Sequence, residues 1–408
     1  MNTLLLMLWY TYIFLQVCFA TFLLQPIFLL IIFAVKKVVK PGKKHQELTR
    51  NQKNYRFGVI VTAHKDSKFI HPIVDSLLQQ TYPCFNVYVV ADGCDPATLP
   101  RFTDLRIHLL VPPQPMNSNT RSIRYALEHF QPADEVMVIF DPDNLVHNRF
   151  LEVLNRYYNK GYEAVQANML AKNADTLYER IDSVGAIFNN FVDREVRNEL
   201  NLSVNTWGCG VSVKRAVYEK IRYDQRSTFG GFDKYLQSEI VKSIPRLAYA
   251  QEAIFYDEKI GSAESLEKQR SRWIRAYFKF LPDAFGVFFT GIGRRNFNMA
   301  YFGYNLIRPP YFLQILVSLL LAGVNLLVAP VLSLGWFIVL ALFLLSFTLV
   351  ILIRKKNRSV LQGFWFAPLF FFHQLRSLLK IGRNKKSILK TDNTKVLYIK
   401  DMFGHEDS

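Results

Sequence analysis

Cysteine is scarce in this chain: Cys18, Cys84, Cys94 and Cys209 are the four in 408 residues, without a CxxC pair or any metal-ligand spacing. That scarcity excludes a zinc site and reads as reduced, mostly buried thiols in a cytosolic domain. Internal repeats and low-complexity segments are missing as well. Net charge is missing where a nucleic-acid binder would need it. The formal charge is +17, yet residues 36 to 56 hold +7 and residues 354 to 395 hold +10, which leaves the rest neutral. Both basic stretches abut apolar ones, the pattern of juxtamembrane loops facing anionic lipid, and nucleic acid is set aside as a partner.

Charged side chains are absent altogether from residues 4 to 35. That run exceeds the roughly 20 residues a helix needs to cross the hydrocarbon and reads as a tilted transmembrane helix. A cleaved signal peptide fits poorly, because the run is too long, its positive charges follow it and no small-residue cleavage site stands out. Lys36, Lys37, Lys40, Lys43 and Lys44 place the C-terminal flank in the cytoplasm and the N-terminus outside. Residues 311 to 332 and 334 to 353, also without charge, predict a transmembrane hairpin broken at Ser333 to Gly335. Residues 364 to 379 are apolar but short and carry His373 and Arg376. A crossing there would break the positive-inside bias, so an in-plane or re-entrant helix and a cytoplasmic tail are expected. The division that follows is a membrane helix at 1–36, a basic linker at 37–56, a globular domain at 57–280, an interfacial connector at 281–310, a hairpin at 311–353 and a basic region at 354–408.

Between the membrane segments, short β-rich runs alternate with helical patterns. Phe57 to Thr62, Phe85 to Ala91, Glu135 to Phe140 and Tyr162 to Ala167 read as strands, with helices near Ile70 to Gln80 and Asn148 to Lys160. This alternation predicts βαβ units and a parallel sheet, an α/β nucleotide-binding architecture. Ligands of such sheets bind at the carboxyl ends of the strands.

The candidate chemistry sits at those ends. Asp66 and Asp92 are placed to hydrogen-bond a nucleotide base or ribose, although Asp92 with Gly93 also suits a tight turn. Asp141 and Asp143 follow a buried strand, and Pro142 forces a turn between them. A carboxylate pair completed by diphosphate oxygens suits Mg²⁺ or Mn²⁺, while caps and turns use the same residues. Arg121 and Arg124 head the preceding helix, within reach of phosphate or of solvent. Asp233, after Gly230 and Gly231, is a helix N-cap or a general base. Gln269, Arg270, Arg272 and Trp273 open a helix running to about Phe280. Its guanidinium forks match diphosphate and its indole suits a sugar ring, though a basic helix lying on a membrane would share the charge.

Taken in order, these residues resemble processive family 2 glycosyltransferases, the GT-A group that includes cellulose, hyaluronan and chitin synthases, over about residues 57 to 280. The resemblance implies an α/β GT-A (Rossmann-like) nucleotide-sugar transferase domain between N-terminal and C-terminal transmembrane helices. It implies inverting transfer from a UDP-linked sugar to a glycan or lipid-linked acceptor, at the cytoplasmic face of the plasma (inner) membrane. Asp92 would then contact uridine, Asp141 and Asp143 the metal-diphosphate, and Asp233 would be the base. Gln269, Arg270 and Arg272 of the Q-x-x-R-W stretch would hold the diphosphate, and Trp273 would border the acceptor. Thr206 to Gly210, with Trp207 and Gly208, looks like the family's acceptor loop. Membrane lipid is an implied partner, and a polymeric product would call for an export partner. Phe232 before Asp233, Ala91 beside Asp92 and the variant first loop Thr62 to Asp66 depart from the family pattern and leave the donor sugar open. The short membrane region leaves single addition to a polyprenyl or glycolipid acceptor as the competing activity, and an inactive membrane scaffold as the non-enzymatic one.

Overall fold

The structure, a computed structural model, describes residues 3–39, 52–223, 231–354, 358–380 and 395–402. Most of the expected basic linker, 40–51, and the lysine-rich stretch 381–394 lie outside the described residues. The chain opens with α1 (Thr3–Val39), followed by β1 (Phe57–His64), α2 (Ile70–Leu78), β2 (Phe85–Asp92), β3 (Ile107–Leu110) and α3 (Asn119–Glu128). Then come β4 (Val136–Phe140), β5 (Leu145–Val146), α4 (Phe150–Asn159), β6 (Ala164–Ala171) and α5 (Leu177–Asn190), which runs through a π-helical turn at Phe191–Val196 into α6 (Arg197–Glu199). The sheet region closes with β7 (Val211–Lys214), α7 (Arg215–Tyr218), α8 (Phe232–Ser243) and β8 (Ala248–Asp257). Beyond it lie α9 (Ala263–Gly293), α10 (Phe297–Ile307), α11 (Tyr311–Val328), α12 (Pro330–Arg354), α13 (Arg358–Trp365), α14 (Ala367–Lys380) and α15 (Ile399–Met402).

The strands form one sheet in the order β3-β2-β1-β4-β7-β6-β8-β5. It is mixed and curled, not parallel as expected: β7 is antiparallel to both β4 and β6, and β5 is antiparallel to β8. The sequence pattern concealed β7 because it is only four residues long, carries Ser212 and Lys214, and enters a helix at once. The other six strands run the same way and share one carboxyl edge. Alternation along β1 explains how both faces are covered. Val59 and Val61 pack on one side with Phe140, Phe150 and Phe255, while Ile60 packs on the other with Tyr88, Ile123 and Ile240.

Helices α1, α11 and α12 are long and apolar enough to cross a membrane. The hairpin turns at Ala329, not at Ser333 to Gly335. Pro330 begins α12, where its missing N–H costs nothing, and Ser333 is buried inside the new helix, donating to the Ala322 carbonyl at 2.8 Å. Polar contacts join the three helices: Gln16 Oε1 accepts from Asn325 Nδ2 at 2.7 Å and Trp336 Nε1 at 2.6 Å, and Tyr12 donates to Asn325 at 2.8 Å. The expected helix at 364–379 is two helices lying on the globular part, α13 against α5 and α14 against α9. His373 Nδ1 meets Glu267 Oε1 at 2.8 Å and fixes the second of these. Helix α9 also departs from expectation, because it starts before the pentad, capped by Ser262, and continues to Gly293 through the first part of the proposed connector.

Candidate active site

The carboxyl edge of the sheet opens into a cavity of about 1320 Å³ that continues to α11 and α12. That volume exceeds the roughly 300–1,000 Å³ of an ordinary small-molecule pocket and leaves room for two ligands.

At the β1 end, His64 and Asp66 line the cavity, and Asp66 pairs with Lys68 at 3.6 Å. Asp92, at the end of β2, is buried and is not part of the lining. Its carboxylate accepts from the Met116 N–H at 2.6 Å and the Asn117 N–H at 2.9 Å, and meets His64 Nδ1 at 3.1 Å. In this arrangement Asp92 shapes the loop that carries Asn117 to Thr120 into the lining. Arg121 and Arg124 are exposed and outside the cavity, since α3 turns Thr120 and Ile123 inward.

Asp141 and Asp143 both line the cavity, at the end of β4. The sheet adds a third carboxylate that the sequence reading missed. Asp257 ends β8, and its signal was the same as for Asp141, an acid closing an apolar strand. Burial, and next the Asp257 charge, push Asp141 up to about 6, while Arg272 acts against the rise. Asp143 is raised well above the ordinary carboxylate value by burial and then by Asp257 and Asp141. Asp257 itself is committed, with Oδ1 accepting from Asn144 at 3.0 Å and Oδ2 from Lys259 at 2.9 Å. No group of three His, Cys, Asp or Glu forms a metal cage among the described residues. Two buried carboxylates with excess negative charge nevertheless fit a hard divalent cation that takes its other oxygens from diphosphate or water.

Across the cavity, Asp233 lies in the first turn of α8, and the cap is Gly231 rather than Asp233. A Cβ at Gly231 would stand 2.8 Å from Ala276 and 2.9 Å from Phe280, so only glycine lets this helix start against α9. The loop carrying Trp207 and Gly208 approaches Asp233 just as closely: a Cβ at Gly208 would lie 3.2 Å from the Asp233 Cβ. Trp207 is held by a 3.0 Å bond from its N–H to Gln166 and a 3.1 Å bond from its indole to Asn190.

The pentad divides in two. Arg272 lines the cavity, where burial lowers its pKa and the charges of Asp141 and Asp233 oppose that shift. Gln269 lines it too, with Oε1 buried and lacking a partner among the described residues, and Trp273 is 42% exposed at the rim. Arg270 also lines the cavity but is engaged there: it is ion-paired with Asp182 and stacked on Trp273 at 4.0 Å and Phe370 at 5.3 Å.

A family model described as glycosyltransferase like family 2 matches residues 55–276. No curated protein matches by sequence. Among solved structures, the mannosyltransferase PcManGT from Pyrobaculum calidifontis, in complex with GDP-Man and Mn2+, is 15% identical, with a TM-score of 0.52 over 90% of this chain and 100% of that one. TarS 1-349 from S. aureus, in complex with UDP, is 13% identical, with a TM-score of 0.38 over 56% of this chain and 65% of that one. The chain thus spans just under two thirds of that TarS structure. The family match and the likeness to PcManGT give a GT-A-like fold.

Proposed function

We propose that this chain, which belongs to glycosyltransferase like family 2, is an inverting transferase that moves a sugar from a UDP-linked donor to a glycan or lipid-linked acceptor at a membrane surface. The observation that carries this reading is the placement of Asp141, Asp143, Asp233 and Arg272 around one cavity at the carboxyl edge of the sheet. Asp233 accepts the proton of the acceptor hydroxyl, whose oxygen bonds to the anomeric carbon as the bond from that carbon to the diphosphate oxygen breaks. Arg272 takes up the negative charge that develops on the leaving nucleoside diphosphate, with Gln269 as a further polar group of the same wall. Asp141 and Asp143 would hold Mg²⁺ or Mn²⁺, which when bound neutralises diphosphate charge. Trp273 and the Trp207 to Gly208 loop border the acceptor. Basic residues flanking α1 and α12 favour a cytoplasmic site in the plasma (inner) membrane.

Replacing Asp233 by Asn tests the assignment in detergent-solubilised full chain supplied with a panel of nucleotide sugars. Released nucleotide should fall by about 10²-fold or more while UDP binding persists. Turnover at the wild-type rate would remove Asp233 from the chemistry. Product size from the active donor separates repeated from single addition.

A further inference from the structure

The membrane-side end of the cavity carries positive charge that the transfer chemistry does not use. The π-helical turn Phe191–Val196 and the residues after it bring Asp193, Arg194 and Arg197 beside Arg308, which closes α10. Three guanidinium groups therefore share one carboxylate. Asp193 is engaged by Arg308 through two bonds of 2.8 Å, and Arg197 hydrogen-bonds, among the described residues, to the neutral Asn205 at 2.9 Å. Burial alone would raise the Asp193 carboxyl, but Arg308, Arg197 and Arg194 hold it below its ordinary value.

Arg194 lines the cavity, together with the paired Asp193 and Arg308. It is 3% exposed, and its Nε is buried without a partner among the described residues. One N–H donates to the Asn189 carbonyl at 3.3 Å, and the guanidinium lies 3.7 Å above the Trp207 ring. No carboxylate pairs with it among the described residues. A buried cation left in this condition is costly unless an anion completes it. Its position is also specific. Trp207 precedes Gly208, which abuts Asp233, so an anion on Arg194 would sit next to the acceptor side of the proposed base. On its other side the cavity is apolar and runs between Tyr311, Ile315, Phe343, Phe347 and Phe364, side chains of the candidate membrane hairpin and of α13.

We propose that this end of the cavity is a binding site for a lipid phosphate, with the phosphate on Arg194 and the hydrocarbon chain between α11, α12 and α13. The proposal rests on the transferase reading above and names its acceptor class: a phosphate-bearing amphiphile whose nucleophilic end faces Asp233. Free phosphate has the right charge but would leave the apolar half of the site unfilled.

The test uses the full chain in detergent, with tryptophan fluorescence as the readout and three probes: a polyprenyl phosphate, the matching polyprenol and inorganic phosphate. A charge-assisted bond to Arg194 predicts that the wild type binds the lipid phosphate roughly tenfold or more tightly than the alcohol. Arg194→Gln should bring the two within about twofold, and Arg194→Lys should restore part of the preference. UDP titration of the same samples should be unchanged. Equal binding of lipid phosphate and alcohol by the wild type would overturn the proposal without any variant. Inorganic phosphate binding as tightly as the lipid phosphate would remove the chain-binding half. If UDP binds but the preference is absent, only this inference fails; if UDP does not bind, the transferase reading fails.

Discussion

Replacing Asp182 by Ala removes the carboxylate paired with Arg270, in a site where both side chains are 12% exposed. Arg270 Nε already lacks an acceptor among the described residues, so the stranded guanidinium has little to turn to. Removing one partner of a buried pair costs about 3–5 kcal/mol. For a domain of roughly 150–250 residues each kcal/mol lowers the melting midpoint by about 2–4 °C, so the variant should melt roughly 6–20 °C lower. The Asp182→Leu, Arg270→Met double variant removes both charges and should recover most of that loss, because apolar replacement of a whole buried pair is close to neutral. Thermal unfolding in detergent and UDP titration are the assays. The double variant should bind UDP within about threefold of the wild type, since a structural Arg270 touches no donor. A double variant that is stable yet binds UDP tenfold more weakly would put Arg270 back on the diphosphate, and an unchanged midpoint for Asp182→Ala would refute the ion-pair argument.

Because Asp141 holds its proton up to about 6 against an ordinary 3.8, the metal-free native state binds more protons than the unfolded chain between those values. Stability contributed there must fall as pH rises. The stability of the wild type relative to Asp141→Asn should therefore decline from pH 4 to 7 without metal, and added Mg²⁺ should raise the wild-type midpoint at pH 7 but not at pH 4. A flat difference would contradict the sign. Gly210→Ala drives a Cβ into the Phe255 ring at φ +61°. Strain and overpacking together should cost roughly 2–4 kcal/mol, and Phe255→Leu should return part of it in a melting assay. Gln16→Leu strips Asn325 and Trp336 of their shared acceptor. Interhelical bonds of about 0.6–2 kcal/mol each predict a lower midpoint in detergent with an unchanged UDP affinity.

The strands β1, β2 and β4 were legible because each is an apolar run bounded by turn residues, and their ends pointed directly to Asp92 and to Asp141 with Asp143. The long apolar helices were legible from the absence of charge. The hairpin turn was misplaced because Ser333 and Gly335 look like a break, while Pro330 stops one helix only by starting the next. The pairing of Arg270 with Asp182 was not legible for another reason: two residues apart on a helix, Arg270 and Arg272 face different neighbours, and the partner of Arg270 lies 88 residues away.

By itself the sequence determined that apolar segments enclose an α/β domain and that acidic residues close its strands, because periodicity and turn chemistry are local properties of the chain. Tertiary structure alone decided the antiparallel insertion of β7, the arrival of Asp257 beside Asp141, the exposure of Arg121 outside the cavity, the pairing of Arg270 with Asp182, and the surplus of guanidinium at the end of the cavity near α11 and α12. Each of those depends on which distant segments pack together, and on which buried charge finds a partner when they do.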